Sequence, residues 1–178
     1  MYQQVLAFWF EQLEPAMWWE KNPQLDEDIR QRFGELHRQA ACGELWQWRS
    51  SAEGRLAEVI VLDQFSRNLY RDQPQAFAQD GMALALAQEA ISLELDQQLP
   101  VIQRSFLYMP FMHSESLMIH DRALSLFAVP GMENTLDFER RHRDIIQRFG
   151  RYPHRNAILG RTSTEEEVAF LRQPGSSF

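Results

Sequence analysis

The segment at residues 54–71, GRLAEVIVLDQFSRNLYR, predicts a long helix that is buried on two sides. At about 100° per residue, the stripe around its first leucine consists of Leu56, Val59, Ile60, Asp63, Arg67, Tyr70 and Arg71. The opposite face is also apolar and consists of Leu62, Phe65 and Leu69. A buried Asp63 needs a partner, and Arg67 one helical turn later has the favourable orientation for an ion pair. Such a pair is either structural or functional, because burial forces pairing in both cases.

Helices are predicted for the rest of the chain as well, because no Val/Ile/Thr-rich alternating run is bounded by turn pairs. The sequence begins with an aromatic helix that includes Trp9, and further helices are expected at about 75–95 and 134–149. About eight helices with short connections favour antiparallel helical hairpins stacked side by side. Since no linker or change of composition divides the chain, we expect a single all-helical domain over residues 1–178.

Capping residues predict where three of these helices begin. Asp26 is expected to cap a helix that ends near position 43, because its side chain can accept from the first free N–H groups. Pro110, which lacks an N–H, is expected in the first turn of a helix that extends to Phe127, after a short turn near position 100. Ser163 and Glu166 have the spacing of a capping box at the start of the last helix.

Composition excludes several classes of protein. The chain has 178 residues with 44% hydrophobic and 12% aromatic side chains, which is enough to fill a core. Its one cysteine, Cys42, excludes an internal disulfide and a Cys-rich metal site. A net charge of −7 argues against binding to nucleic acid. The sequence contains neither a signal peptide at its start nor an apolar run long enough to span a membrane, so a cytoplasmic location is expected.

Positive charge is concentrated near the C-terminus. Residues 140–161 contain one acid, Asp144, and seven arginines, which are Arg140, Arg141, Arg143, Arg148, Arg151, Arg155 and Arg161. Such a patch on an acidic protein would attract a small anion or a carboxylate tail. The alternative is that these arginines pair with nearby acids at the surface.

Three histidines lie on predicted core-facing stripes. His113 and His120 share one line of the helix expected from Pro110, and they are one heptad apart, too far for one metal ion on their own. His142 faces inward in the helix at 134–149. Each is a proton-transfer group, an anion-binding donor or a satisfied core histidine. Glu139 and His142 form a Glu-x-x-His spacing without a second copy, so neither a metal site nor a cofactor is expected.

The densest polar segment is residues 148–156, RFGRYPHRN. A glycine and a proline constrain this loop, from which Arg151, His154, Arg155 and Asn156 are expected to project. A guanidinium group can bind phosphate or carboxylate through two hydrogen bonds. These groups could equally satisfy the carbonyl groups at helix ends.

Four stretches of the sequence carry a resemblance: FWF at 8–10, LDQFSRNLYR at 62–71, PFMHSE at 110–115 and RHRDIIQRFGRYPHRNAILGRTSTEEEVAFL at 141–171. Over nearly its whole length the chain resembles the bacterial family known as domain of unknown function 924. The resemblance implies a right-handed stack of helical hairpins of the tetratricopeptide-like superfamily. It implies no reaction.

The resemblance also implies a set of site residues. The positions that match the family pattern are His113, Glu115, His142, Arg148, Arg151, His154, Arg155 and Arg161. His120 departs from that pattern, because glutamine usually stands there, and this weakens any catalytic role for His120.

Three functional hypotheses follow. In the first, Asp63, Arg67, Asn68, His113, His142 and the loop at 151–156 converge on one concave surface that binds a small anionic molecule. If the molecule is turned over, His113 or His142 transfers the proton and the arginines stabilise negative charge. In the second, a tetratricopeptide-like scaffold binds an acidic or C-terminal peptide of a partner protein. In the third, the polar groups only fix the fold. The surplus of tryptophans also leaves room for a homodimer interface.

Overall fold

Helices make up the whole regular structure of residues 1–177, which are the residues that the computed structural model describes. The helices are α1 (Tyr2–Ala7, continued by the π-helical turn Phe8–Gln12), α2 (Pro23–Ala41), α3 (Ala52–Ile60, continued by the π-helical turn Val61–Phe65 and by Ser66–Leu69), α4 (Asp80–Ser92), α5 (Val101–Met112), α6 (Leu117–Phe127), α7 (Glu133–Phe149) and α8 (Glu165–Leu171). Short 3-10 turns lie at Pro15–Trp18, Trp46–Ser50, Pro74–Phe77, Leu95–Gln98 and Pro153–Arg155. These eight helices, without a strand in the described residues, confirm the prediction of an all-α fold.

Helix α3 lies at the centre of the fold, packed against α1, α2, α4 and α5. Residues on both of its faces are fully buried, among them Leu56, Val59, Ile60, Leu62 and Phe65. The prediction of a helix buried on two sides is therefore confirmed. Because every side of α3 is covered, its polar side chains have to find partners on neighbouring elements.

The predicted start of α2 is wrong by three residues. The helix begins at Pro23, and the Asn22 side chain accepts hydrogen bonds from the N–H groups of the next turn. Proline suits this first position because its missing N–H would have had no partner there. Asp26 consequently lies inside the helix, where it is buried and accepts hydrogen bonds from Asn68 and Arg71 of the α3 end.

The region around Pro110 differs most from the sequence prediction. The expected short turn after Pro100 is the first turn of α5, and Pro110 lies near the end of that helix, not at the start of the next. A proline at this position removes one helical hydrogen bond at a cost of about 3 kcal/mol, and burial of Phe106, Leu107 and Phe111 outweighs that cost. The chain then breaks at 113–116, and α6 begins at Leu117. His113 and His120 are therefore on different elements, and the predicted line of histidines along one helix is wrong.

Two other predicted boundaries shift. The helix expected at about 75–95 is a 3-10 turn followed by α4 at Asp80–Ser92. The last capping box is formed by Thr164 and Glu167, one residue later than predicted, through hydrogen bonds of 3.2 and 2.8 Å. Ser163 instead accepts a hydrogen bond from Asn156. The expected end of the helix at 149 is confirmed, and Gly150 follows it with a φ of 68°, which suits glycine.

The buried side chains form a large and a small cluster. The large cluster extends from Val5 in α1 to Met132 before α7. The small one consists of Ile145, Ile146 and Tyr152, and Phe149 and Phe170 pack against it. Tyr152 thus fixes the loop after α7 against the helix body. Among the helices of residues 1–177, none is both long and apolar enough to cross a membrane.

We expect replacement of Asp26 by Asn to destabilise the protein by about 2 kcal/mol, because it leaves Arg71 without its carboxylate partner. Asp28→Asn on the same helix is the matched control, since Asp28 forms only an exposed ion pair with Arg32 and should change stability by less than about 0.5 kcal/mol. Urea unfolding of both variants measures the difference. Equal effects of the two substitutions would contradict a role of Asp26 in joining α2 to α3.

Candidate functional site

A cavity of about 350 Å³ lies between the start of α4, the end of α5 and the loop that follows α7. Its apolar wall consists of Pro74, Phe77, Ala78, Leu84, Pro110 and Leu159, and Gly81 leaves the wall open between them. Its polar wall consists of Asp80, His113, Ser114, Glu115 and Arg155. A mostly apolar concavity with a few converging polar groups is typical of a small-molecule site.

His113 reaches the cavity from the last turn of α5 and is held by the buried Asp63 of α3. The Nδ1 atom of His113 lies 2.7 Å from Oδ1 of Asp63. Although burial disfavours its charge, Arg67 and His113 hold the pKa of Asp63 below its usual value, so Asp63 is an ionised acceptor. Burial and the charge of Arg67 lower the pKa of His113, so this imidazole is neutral. Nδ1 must therefore carry the proton, and Nε2 has a lone pair.

The lone pair of His113 Nε2 is available to a ligand. Within residues 1–177 this atom makes no hydrogen bond to the protein, and the side chain lines the cavity with 16% of its surface exposed. A neutral histidine oriented by a carboxylate through its other nitrogen is the arrangement of a general base. The geometry thus permits His113 to accept a proton from a molecule in the cavity.

A chain of alternating charges continues from Asp63. Arg67 contacts the Asp63 carboxylate at 3.3 Å and donates two hydrogen bonds to Asp80, at 3.0 and 3.1 Å. Arg155 donates to the same Asp80 carboxylate at 3.2 Å. Asp80 therefore lies between two guanidinium groups and joins α3 to the loop after α7. The Phe77 ring lies under both cations, 5.6 Å from Arg67 and 4.5 Å from Arg155.

Arg155 is the guanidinium with unused donors at the cavity. Its side chain is 8% exposed and stacks on Phe77 and Tyr152. Within the described residues it donates a single hydrogen bond, to Asp80. Its buried Nε has no partner. Burial and the charge of the neighbouring Arg67 lower the pKa of Arg155.

Glu115 forms the far side of the polar wall. It accepts two hydrogen bonds from Arg161, at 2.7 and 2.9 Å, and a third from the Tyr152 backbone N–H at 2.7 Å. These bonds keep the pKa of Glu115 below its usual value in spite of partial burial. Asn156 accepts from Arg161 at 2.9 Å and so orients that arginine outside the cavity.

A buried pair, His120 and Glu139, lies outside the cavity and stabilises the break at 113–116. His120 Nε2 lies 2.8 Å from the Ser114 carbonyl oxygen and must therefore donate a proton to it. Its Nδ1 lies 2.6 Å from Glu139, whose pKa is raised by burial, so this pair shares one further proton. The Tyr152 hydroxyl donates to the Met112 carbonyl, which immediately precedes the break. His113 and Glu115 are thus positioned by groups that lie outside the cavity.

His142 and His154 do not line the cavity. Their rings pack against Tyr152, with centroids 5.7 and 5.4 Å away. His142 Nδ1 donates to the Phe138 carbonyl in its own helix. Burial lowers the pKa of His142 to about 3 and that of His154 to about 4, so both are neutral. The structure therefore does not bring His142 to the surface at which it was expected as a proton-transfer group.

The expected positive patch is neutralised. Six of its arginines form ion pairs, which are Arg140–Asp137, Arg143–Asp121, Arg148–Glu166, Arg151–Glu167, Arg155–Asp80 and Arg161–Glu115. Arg141 lies over the Phe138 ring. The acids come largely from distant segments, which a count over residues 140–161 could not include. The alternative interpretation, that the arginines pair with acids, is the one that the structure supports.

Some predicted site residues lie elsewhere. Arg148 and Arg151 line a separate open concavity of about 390 Å³ against α8, where their acid partners are part of the wall. Asn68 donates to Asp26 and faces α2. The residues that the structure does bring together are Asp63, Arg67, His113, Glu115, Arg155 and Arg161.

Sequence reasoning missed Asp80, which links two of the predicted arginines. Nothing in its local pattern separates it from other acids in the first turn of a helix, where such residues are common. Phe77 and Gly81 were also missed as site residues, because nothing in their local pattern distinguishes them from other phenylalanines and glycines. No group of three or more potential metal ligands occurs in the part of the chain that the structure describes.

We expect the free energy of unfolding to fall as the pH drops from about 7 to 5, because the unfolded chain then protonates histidines that stay neutral when buried. The variant His142→Phe removes one of these groups and should reduce the slope by as much as ~1.4 kcal/mol per pH unit. Urea unfolding of both proteins at about pH 7, 6 and 5 measures the slopes. Identical slopes would show that His142 is not buried in neutral form.

Comparisons with known proteins agree with this architecture. A family model described as bacterial protein of unknown function (DUF924) matches residues 5–175. The structure of the protein of unknown function ATU0120 from Agrobacterium tumefaciens is similar, with a TM-score of 0.91 and 38% sequence identity over 96% of each chain. No curated protein matches the sequence. Because the match covers nearly all of the chain, the protein belongs to the bacterial DUF924 family.

Proposed function

We propose that the protein binds a small molecule with an anionic group in the cavity at 74–81, 110–115 and 155–159, and that His113 accepts a proton from it. The observation that carries the proposal is the pairing, in one cavity, of an oriented neutral imidazole with an arginine that has unused donors. Arg55 is buried with a similar shortage of partners, so the unused donors of Arg155 carry the proposal only together with the cavity and the oriented imidazole beside them.

Arg155 supplies the anion-binding group. Its buried Nε has no partner, and three of its four terminal N–H donors have none in residues 1–177. The position of the side chain over Phe77 and Tyr152 leaves the guanidinium plane fixed. A carboxylate or phosphate at this point would replace water at donors that the protein leaves unpaired. The apolar wall then accepts the remainder of the molecule.

His113 supplies the proton acceptor. Ionised Asp63 fixes its tautomer and would stabilise the imidazolium that forms on proton transfer. The lowered pKa of His113 keeps the base neutral before transfer, as a general base requires. Arg155 would stabilise negative charge that develops on the bound molecule.

A peptide-binding groove, the second hypothesis, has less support. Six arginines expected to line it are paired with acids of the chain itself. The third hypothesis, a purely structural network, accounts for Asp63, Arg67 and Asp80 but not for the unbonded Nε2 of His113 in the same cavity as Arg155.

The binding proposal predicts a loss of ligand response when the cavity is filled. Gly81 lies in α4 and lines the cavity, and a Cβ atom added to it would meet no atom of another element within 4 Å, so Gly81→Phe should place its ring in the cavity. Gly34→Phe is the matched control, because Gly34 lies in α2 with the same free space. At 100 times its dissociation constant a ligand stabilises the folded state by ~2.7 kcal/mol.

Thermal unfolding with inorganic phosphate, AMP and short carboxylic acids, with and without an amino group, measures this response. We expect at least one of these compounds to raise the Tm of the unmodified protein and of Gly34→Phe, but not of Gly81→Phe. Absence of any shift, or an equal shift in Gly81→Phe, would overturn the binding proposal.

The proton-acceptor role predicts an unusual tautomer. Neutral His113 should carry its proton on Nδ1, and nitrogen-15 NMR of the imidazole groups at about pH 7 distinguishes this form from the Nε2–H form. The signal is assigned by its loss in His113→Gln. We expect Asp63→Asn to remove the preference for Nδ1–H, and the remaining spectrum shows whether that variant is folded. An Nε2–H tautomer or a charged His113 would exclude the general-base assignment.

A further inference from the structure

The hydrogen-bonding capacity of the cavity wall indicates what else the bound molecule carries. Arg155 and the Ser114 hydroxyl are the side-chain donors of the polar wall. The same wall also has free acceptors. Each carboxylate oxygen accepts two hydrogen bonds, and the bonds from Arg67, Arg155, Arg161 and Tyr152 leave one acceptor position free on Asp80 Oδ1 and one on Glu115 Oε2.

His113 Nε2 adds a third free acceptor to this wall. Two carboxylates, Asp80 and Glu115, line the cavity together with Arg155, and Arg67 and Arg161 outside the lining compensate their charge. A phosphate or nucleotide brings only acceptors and up to two negative charges, so it would leave the three acceptors unpaired and meet two carboxylates. A simple carboxylate likewise has no hydrogen-bond donor for these three acceptors.

We propose that the ligand is an amino acid with an apolar side chain, bound through its carboxylate at Arg155 and through its ammonium group at the acceptors of Asp80, His113 and Glu115. An ammonium group has three donors, which equals the number of free acceptors. The apolar side chain contacts Phe77, Leu84 and Leu159. At about 350 Å³ the cavity is at the small end of the range for ligand sites, which suits a molecule of this size.

This inference rests on the proposed function and narrows it to one ligand class. It also identifies the ligand atom that faces His113, because Nε2 would accept a hydrogen bond from the bound ammonium group while Asp63 holds Nδ1–H.

Calorimetric titration with four probes separates the inference from the proposed function. The probes are leucine, isocaproate, which lacks the amine, isoamylamine, which lacks the carboxylate, and inorganic phosphate. We expect leucine to bind roughly tenfold or more tightly than each of the other three, and its binding to be lost in Gly81→Phe and retained in Gly34→Phe.

Each of the other outcomes overturns the amino-acid assignment alone or the binding proposal with it. Isocaproate or phosphate binding as tightly as leucine would overturn the amino-acid assignment and leave the anion-binding proposal standing. Isoamylamine binding as tightly as leucine would overturn both, since no anionic group would then contribute. Absence of binding by all four probes would also overturn both.

The apolar part of the assignment has its own variant. Leu84→Ala should weaken leucine binding roughly fivefold and leave glycine binding unchanged. Ile91→Ala is the matched control, because Ile91 is a partly buried residue of the same helix outside the cavity wall. Unchanged leucine binding in Leu84→Ala would show that the side chain does not occupy this wall.

Discussion

The buried carboxylate of Asp63 is the constraint on which the arrangement of this protein depends. It lies in the middle of the central helix with no exposed surface, so it is stable only if partners are brought to it. The partners are His113 at the end of α5, Gln64 beside it and Arg67 one turn later. His113 follows Met112, the last residue of α5, and the chain turns away at 113–116. The contact with Asp63 therefore anchors this break and the polar wall of the cavity beside it.

Charge compensation extends outward from the same point. Asp63, Arg67, Asp80 and Arg155 alternate along one chain of contacts, and Glu115 pairs with Arg161 beside it, so acids and arginines are equal in number. The network is therefore neutral as a whole while its members are incompletely paired at the cavity. Arg155 is the member with most unused donors, because its single acid partner already accepts from Arg67. A site of this kind has a low net charge, while its unpaired donors and acceptors point in fixed directions.

The fold was largely predictable, and the reasons are local. Hydrophobic periodicity in residues 54–71 indicates burial whatever the partners are, and prolines and glycines such as Gly150 mark helix ends through backbone geometry. The errors occurred where two local signals compete. Pro110 is compatible with the first turn of one helix and with the last turn of another, and the choice is made by the apolar surface that α5 buries. Asp26 and Asn22 are both competent caps, and Asp26 became an internal ion-pair partner because Arg71 reaches it across the helix pair.

Some features of the candidate site were likewise predictable from the sequence, and others were not. The sequence by itself determined the all-helical class, the buried Asp63 with Arg67, and the residue types that make His113, Glu115 and Arg155 candidates, since these depend on side-chain chemistry and helical spacing. Only the tertiary structure decided that Asp80 joins Arg67 to Arg155, that His142 packs against Tyr152 away from the cavity, and that most C-terminal arginines are neutralised. The physical reason is that pairing energy depends on distance between atoms, and residues as far apart as 80 and 155 approach each other only when the helices have packed.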